Sequence, residues 1–138
     1  MSRALIVNPD PTSRLAASLL LESLGFEVLT AGMGAEALGH LFRGGVDLVL
    51  LDGRAEEGDP FALIGTMASF SARNRACILF TTPAGSAATV NEALEAGADD
   101  YLIGAFGRDV LAFKLAQAAS RGLLRSDPSV IYHLRKTG

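Results

Sequence analysis

Short apolar runs alternate along the chain with longer segments in which apolar residues recur every three or four positions. The runs are too short for helices and predict buried strands, at Arg3–Val7, Phe26–Ala31, 47–52, 76–80 and 101–103. The periodic segments predict helices, at Pro11–Leu24, Ala35–Arg43, Phe61–Phe70, Ala87–Ala96 and 109 to about 124. In the last helix we expect the inward side chains to be Val110, Leu111, Leu115 and Ala118. The alternation predicts an α/β fold, a doubly wound five-stranded parallel sheet with helices on both faces.

Polar and turn-forming residues follow the predicted strands. In a parallel α/β sheet, functional groups gather where the strands end, at the carboxyl edge of the sheet. The residues that we expect at this edge are Asn8, Pro9, Asp10, Asp52, Thr81, Thr82 and Gly104.

The composition excludes several classes of protein. The chain has 138 residues, which suits one domain that needs no disulfide or metal to fold. Cys77 is the only cysteine, and the two histidines, His40 and His133, are far apart in sequence, so no zinc-ligand cluster is expected. The mean hydropathy is high, at +0.32, yet the longest apolar runs, such as Leu15–Leu21, are too short to cross a membrane. With no secretory signal at the start, we expect a cytoplasmic protein that does not contact a membrane.

Charge is spread unevenly around a net value of −3. Residues 1–120 carry eight basic and fourteen acidic side chains, which argues against a nucleic-acid surface on this part of the chain. Residues 121–138 carry four basic side chains and one acidic one. We expect residues 1–124 to form the domain and 125–138 to be a C-terminal tail or the start of a linker.

Three strings resemble the receiver (CheY-like) domain of two-component response regulators: Asp47-Leu-Val-Leu-Leu-Asp52, Ala93-Leu-Glu-Ala-Gly-Ala-Asp-Asp-Tyr-Leu102 and Asn8-Pro-Asp-Pro-Thr-Ser-Arg14. The resemblance covers about residues 3–124. It implies a flavodoxin-like (βα)5 fold and a bacterial signalling module, not an enzyme. The partner would be a histidine kinase, an output domain or another signalling protein.

The resemblance also assigns roles to individual residues. Asp52 stands at the position of the phosphoryl-accepting aspartate. A hydroxyl at the end of the fourth strand swings toward the phosphoryl group in the family; Thr81 and Thr82 both lie there, and a gap-free count back from Tyr101 favours Thr82. Tyr101 matches the aromatic residue that changes rotamer with that hydroxyl.

Two parts of the family pattern are missing. Receivers hold magnesium with two acidic residues directly after the first strand, where this chain has Asn8 and Pro9. They also have a lysine and a proline after the fifth strand, where this chain has Gly104 and Ala105. Losing one such charge-stabilising group costs about 10²–10³ in rate. The leading hypothesis is therefore a pseudo-receiver, which signals by protein–protein contacts without magnesium-dependent aspartyl phosphorylation, and we expect no cofactor.

Two residues are candidates to replace the lost groups. Asp10 could bind a metal, but capping the first helix ahead of Pro11 is the simpler role and the one we favour. Arg54 could pair with Asp52 in place of the lysine, although the simpler interpretation, which we favour, is a solvated loop arginine.

Other functions remain open. The chain could be a working phospho-accepting regulator with Asp52 as the acceptor. More remotely, it could bind a small molecule or a nucleotide through scattered arginines, at Arg73, Arg75, Arg108 and Arg121. For protein partners or a homodimer we expect the face made by the fourth helix, fifth strand and fifth helix, around Ala87–Ala96, Tyr101 and Arg108–Arg121.

Overall fold

The computed structural model describes residues 2–56, 58–70, 75–125 and 127–137. A parallel sheet runs through the centre in the order β2-β1-β3-β4-β5, with strands β1 (Arg3–Val7), β2 (Glu27–Ala31), β3 (Leu48–Asp52), β4 (Cys77–Thr82) and β5 (Asp100–Ile103). The helices in the described residues are α1 (Pro11–Ser23), α2 (Gly34–Arg43), α3 (Pro60–Ala68), α4 (Ala87–Ala96), α5 (Arg108–Ser120) and α6 (Pro128–Thr137). The predicted doubly wound α/β fold is confirmed.

Helices cover the sheet on both faces because successive strand side chains point in opposite directions. In β3, Leu48 and Leu50 pack with the α1, α5 and α6 side, while Val49 and Leu51 pack with the α2, α3 and α4 side. Asp52 continues the first of these rows, so its carboxylate emerges on the α1 and α5 side of the sheet.

Three helices begin with an aspartate followed by a proline. The Asp10 carboxylate accepts hydrogen bonds from the backbone N–H groups of Thr12 and Ser13 at the start of α1. Asp59 accepts from the Phe61 N–H in α3, and Asp127 accepts from the Val130 N–H in α6. Proline suits the first helical position because its N–H would have no partner there.

The segment 125–138, which we predicted to be a C-terminal tail or the start of a linker, contains α6. This helix packs on α5 and on the amino ends of the strands. Val130 and Leu134 are buried in the α1 and α5 side of the core. The Ser2 N–H donates to Asp127 Oδ2 at 2.8 Å, and the Asp127 N–H donates to Ser2 Oγ at 2.7 Å. The placement of a linker within 125–138 stays a prediction.

The inward prediction for Val110 is wrong. Its side chain is 49% exposed, because the buried stripe of α5 consists of Leu111, Ala112, Leu115 and Ala118. The helix also ends at Ser120, earlier than predicted, since Gly122 adopts a left-handed φ of 74° that turns the chain out of the helix.

The single cysteine of the sequence is a core residue. Cys77 lies fully inside the sheet, and burial, followed by the nearby Asp99 charge, raises the pKa of its thiol to about 12. The thiol is therefore protonated and unreactive at neutral pH.

None of the helices within the described ranges has the length and hydropathy that a membrane span requires.

Candidate functional site

The carboxyl edge of the sheet brings the predicted site residues together around one cavity. Asp52 is the last residue of β3 and lies opposite Thr81 in the β3–β4 register. Gly104 follows β5 and is held there by its N–H, which donates to the Thr82 carbonyl at 2.8 Å. The cavity has a volume of about 450 Å³ and includes Asn8, Asp52, Arg54, Thr81, Thr82, Gly104 and Ala105 in its lining.

The Asp52 carboxylate is buried, at 5% exposure, and both of its oxygens are engaged. Oδ1 accepts from the Arg54 backbone N–H at 2.8 Å and from Arg54 Nε at 3.0 Å. Oδ2 accepts from Arg54 Nη2 at 3.0 Å and from Asn8 Nδ2 at 3.4 Å. This two-point contact is the geometry in which a guanidinium binds a carboxylate most strongly, and it raises the pKa of Arg54.

The local backbone explains why the Arg54 side chain contacts the Asp52 carboxylate. The interpretation favoured from the sequence, a solvated loop arginine, missed this contact. Residues Gly53–Ala55 form one turn of 3-10 helix, and Asp52 caps it. Gly53 lets this turn pack closely on Phe80, since a Cβ there would lie 2.9 Å from the Phe80 ring. The turn directs the Arg54 side chain back over the carboxylate, although the arginine remains 52% exposed.

Asp10 caps α1, as expected from the sequence. Its carboxylate accepts from the Ser13 hydroxyl at 2.6 Å, and this bond is the main cause that lowers the pKa of Asp10. Asn8 supports the same turn, because its side-chain oxygen accepts from the Asp10 N–H at 2.9 Å and its carbonyl from Arg14 Nη1 at 2.7 Å.

The residues that would have to hold a magnesium ion at this edge are engaged with other groups. Magnesium needs several oxygen ligands in near-octahedral geometry, but Asp52 is ion-paired with Arg54 and Asp10 is committed to the helix cap. Asn8 presents its Nδ2 group to Asp52, and Pro9 has no side-chain oxygen. Across the part of the chain that the structure describes, no three His, Cys, Asp or Glu side chains form a group that could hold a metal ion.

The two threonines point to opposite faces of the sheet. Thr81 lies on the same face as Asp52, and its hydroxyl donates to the Leu51 carbonyl over 3.4 Å. The Thr82 hydroxyl donates to the Ala84 carbonyl at 3.0 Å, on the face that it shares with Tyr101. The assignment of the switch hydroxyl to Thr82 stays a prediction.

Comparisons with known proteins agree with this architecture. The family model described as response regulator receiver domain matches residues 4–116. The chain belongs to this family. It is 35% identical over 135 residues to the transcriptional regulatory protein ZraR of Salmonella typhimurium, which covers 97% of this chain and 27% of ZraR. The receiver chain thus spans about a quarter of the length of that curated relative.

Solved structures show the same fold. A putative response regulator from Chloroflexus aurantiacus superimposes with a TM-score of 0.78 at 25% identity, covering 88% of this chain and all of that one. The chemotaxis response regulator CheY4 of Vibrio cholerae gives a TM-score of 0.76 at 26% identity, covering 85% of this chain and 98% of CheY4.

Lys114 is a functional candidate in this receiver that the sequence reasoning missed. Its Nζ donates to Asp100 Oδ1 at 2.8 Å and lies 4.4 Å from the centroid of the Tyr101 ring. The ammonium group therefore holds the half-buried tyrosine by a cation–π contact. The sequence signal was an acidic residue, Asp100, beside the tyrosine, combined with a lysine in α5.

Of the four arginines considered for a nucleotide, the three that the structure describes do not gather around the receiver's cavity. Arg75 pairs with Asp99 before β4, at the amino edge of the sheet. Arg108 donates to Ser23 from the start of α5. Arg121 follows the end of α5, and Arg73 lies outside the described residues.

Proposed function

We propose that this receiver is a pseudo-receiver, which signals through protein–protein contacts without magnesium-dependent phosphorylation of Asp52. In this proposal Arg54 replaces the absent lysine as the cation beside the carboxylate. The domain itself then carries no catalytic residue, and Asp52 serves as a structural anion.

The observation that carries the proposal is the two-point ion pair between Arg54 and Asp52. Phosphoryl transfer depends on a positioned nucleophile and on cations that neutralise the developing charge. Here the nucleophilic oxygens already face a guanidinium, and the positions of the acid pair hold Asn8 and Pro9. A phosphoryl donor would have to displace Arg54 before it could reach either oxygen.

Partner contacts would use the α4-β5-α5 face, which we define by α4, the edge strand β5 and α5. This face carries exposed apolar side chains, namely Leu94 at 38%, Ile103 at 44%, Val110 at 49% and Phe113 at 62% exposure. Receiver domains interact with histidine kinases or output domains, and a second copy of this chain is a further candidate for this face. Several relatives are named transcriptional regulatory proteins, which supports an output domain as the target.

A second candidate function is phosphorylation at Asp52. It is favoured by the position of Asp52 at the end of β3, opposite the Thr81 hydroxyl and beside an open cavity. In that case Arg54 would move aside when a divalent cation and a phosphoryl donor arrive.

Treatment with acetyl phosphate and magnesium, read by intact-protein mass, separates the two functions. We expect no added phosphoryl group on the wild-type protein. The variant Asp52→Ala is the control that assigns any added mass to Asp52. Magnesium-dependent mass addition that disappears in Asp52→Ala would contradict the pseudo-receiver proposal and support the second function.

A further inference from the structure

The cavity beside Asp52 extends well beyond the Asp52–Arg54 ion pair. It passes between β1, β3 and α1 and reaches the loop after β5. Its volume of about 450 Å³ lies in the range of small-molecule binding sites, about 300–1,000 Å³. The lining away from the ion pair includes Ile6, Ala16, Ala17, Leu20, Leu50 and Phe106.

Small residues leave this space open. Ala16 and Ala17 line it from α1, while Gly104 and Ala105 line it from the loop after β5. A Cβ atom at Gly104 would meet its nearest neighbour, the Pro83 carbonyl, only at 3.8 Å. Gly104, at the position where the family has a long lysine, thus contributes no side chain to the cavity.

The walls of the cavity differ in chemistry. Ile6, Leu20, Leu50 and Phe106 contribute apolar groups to the lining. The lining also includes Thr81, whose buried hydroxyl makes a long hydrogen bond, of 3.4 Å, to the Leu51 carbonyl. A hydroxyl held so weakly has capacity left for a ligand, and an apolar cavity with a few polar groups is typical of ligand sites.

The charges at the rim balance one another. Asp52 is paired with Arg54. On the neighbouring turn, Asp10 caps α1 and Arg14 binds the Asn8 carbonyl. Among the described residues that line the cavity, the charged side chains are those of Asp52 and Arg54, which are paired with each other. An additional charge inside the cavity would therefore lose its hydration without finding a counter-charge.

We propose that this cavity binds a small, uncharged, mainly apolar molecule that carries a hydroxyl or carbonyl group. The apolar body would lie against Leu20 and Phe106, and the polar group would face Thr81 and Asn8. This site goes beyond the proposed function, since it gives the receiver a chemical input in addition to its protein partners.

Benzyl alcohol is a suitable probe, because it joins an apolar ring to one hydroxyl. We expect it to cause saturable amide shifts in ¹⁵N NMR spectra at Asn8, Leu20, Thr81 and Phe106. Benzoate and benzylammonium, which have the same ring with one charge, should bind at least about tenfold more weakly, a difference of about 1.4 kcal/mol.

Variants that fill the cavity test its location. Ala17→Leu adds volume inside the cavity and should weaken benzyl alcohol binding by about tenfold or more. Ala16→Leu adds volume at an exposed position of the lining and provides the same test if Ala17→Leu fails to fold. Ala35→Leu, at an exposed position on α2, is the matched control and should bind as the wild type does.

Three outcomes would overturn the proposal. The first is the absence of saturable shifts with benzyl alcohol at millimolar concentrations. The second is equal binding of the charged analogues, and the third is undiminished binding in a folded cavity-filling variant. Each outcome is independent of whether Asp52 accepts a phosphoryl group.

Discussion

The pocket around Asp52 and the α4-β5-α5 face differ in the burial and the pairing of their side chains. In the pocket, the Asp52 carboxylate is buried and paired with Arg54, with Asn8 as a further hydrogen-bond donor. On the face, apolar side chains such as Phe113 remain exposed to solvent, where they make little contribution to folding. Under the proposed function, the contrast teaches that a surface for partner recognition would persist although Asn8, Pro9 and Gly104 stand where the family pattern has its acid pair and lysine.

The strongest test of this contrast is to rebuild the pocket. The triple variant Asn8→Asp, Pro9→Asp, Arg54→Ala restores the acid pair and frees Asp52. We expect magnesium-dependent labelling by acetyl phosphate to become detectable, at a rate at least about 10² above the background of the wild type, because each charge-stabilising group contributes about 10²–10³ in rate. Intact-protein mass over time measures the change. Adding Asp52→Ala to the triple variant should abolish it, and labelling that persists would place the chemistry elsewhere.

The next test disrupts the face. Phe113→Glu places a charge in the exposed apolar patch and should weaken self-association or partner binding by about tenfold or more, because an interface cannot bury an unpaired carboxylate cheaply. Sedimentation velocity across a concentration series measures self-association, and pull-down from the native cell extract measures partner binding.

Phe42→Glu is the matched control for that test, since Phe42 on α2 is 73% exposed and lies outside the face. Phe113→Glu should keep the wild-type stability within about 0.5 kcal/mol, as surface substitutions usually do. Phe42→Glu also removes the ring contact with Phe70 at 5.1 Å, so it should lower the free energy of unfolding by about 1 kcal/mol. If the two variants lose association equally, the loss is not specific to the α4-β5-α5 face, and this face is not the surface that binds the partner.

A smaller effect is expected on stability when the ion pair in the pocket is cut. Arg54→Ala should lower the free energy of unfolding by about 1 kcal/mol, because it leaves the buried Asp52 carboxylate without its guanidinium partner. The effect stays small since Arg54 is half exposed and water screens the pair. Urea denaturation measures it. In an Asp52→Asn background the same change should cost less, and an equal cost there would show that the ion pair is not responsible.

The smallest effect concerns Asp10. Ser13→Ala removes the hydroxyl bond that lowers the pKa of Asp10, so this pKa should rise toward its ordinary value of 3.8. In the wild type the lowered pKa stabilises the fold above that value, and this contribution is lost as the pH falls through the folded-state pKa. Carboxyl ¹³C NMR titration measures the change. An unchanged pKa would mean that the backbone N–H groups of α1 hold the carboxylate without the hydroxyl.

The fold was largely predictable from the sequence because its signals are local. Apolar runs of strand length and periodic helices gave the five strand–helix pairs and their order. Asp10 with Pro11 predicted the start of α1 correctly. The same Asp-Pro signal stands at Asp127 and Pro128, so the start of α6 could have been found; its packing depends on contacts with Ser2 that are distant in sequence.

The candidate site was predictable in its members but not in their pairing. Strand ends placed Asn8, Asp52 and Thr81 at one edge, as a parallel sheet requires. The return of Arg54 to Asp52 depends on the 3-10 turn, and the contact of Lys114 with Tyr101 depends on how α5 packs. Val110 was misplaced for a related reason, since several apolar residues of α5 compete for the buried stripe and only tertiary packing selects among them.

The central claim, that Arg54 holds Asp52 in a pocket unable to bind a divalent cation, is tested most directly by manganese titration. Mn²⁺ is an oxygen-binding divalent cation whose unpaired electrons broaden the NMR signals of nearby amides. We predict that millimolar Mn²⁺ leaves the ¹⁵N–¹H signals of Asn8, Asp52 and Thr81 as sharp as those of residues far from the pocket. Selective, saturable broadening of these three signals in the wild-type protein would contradict the account.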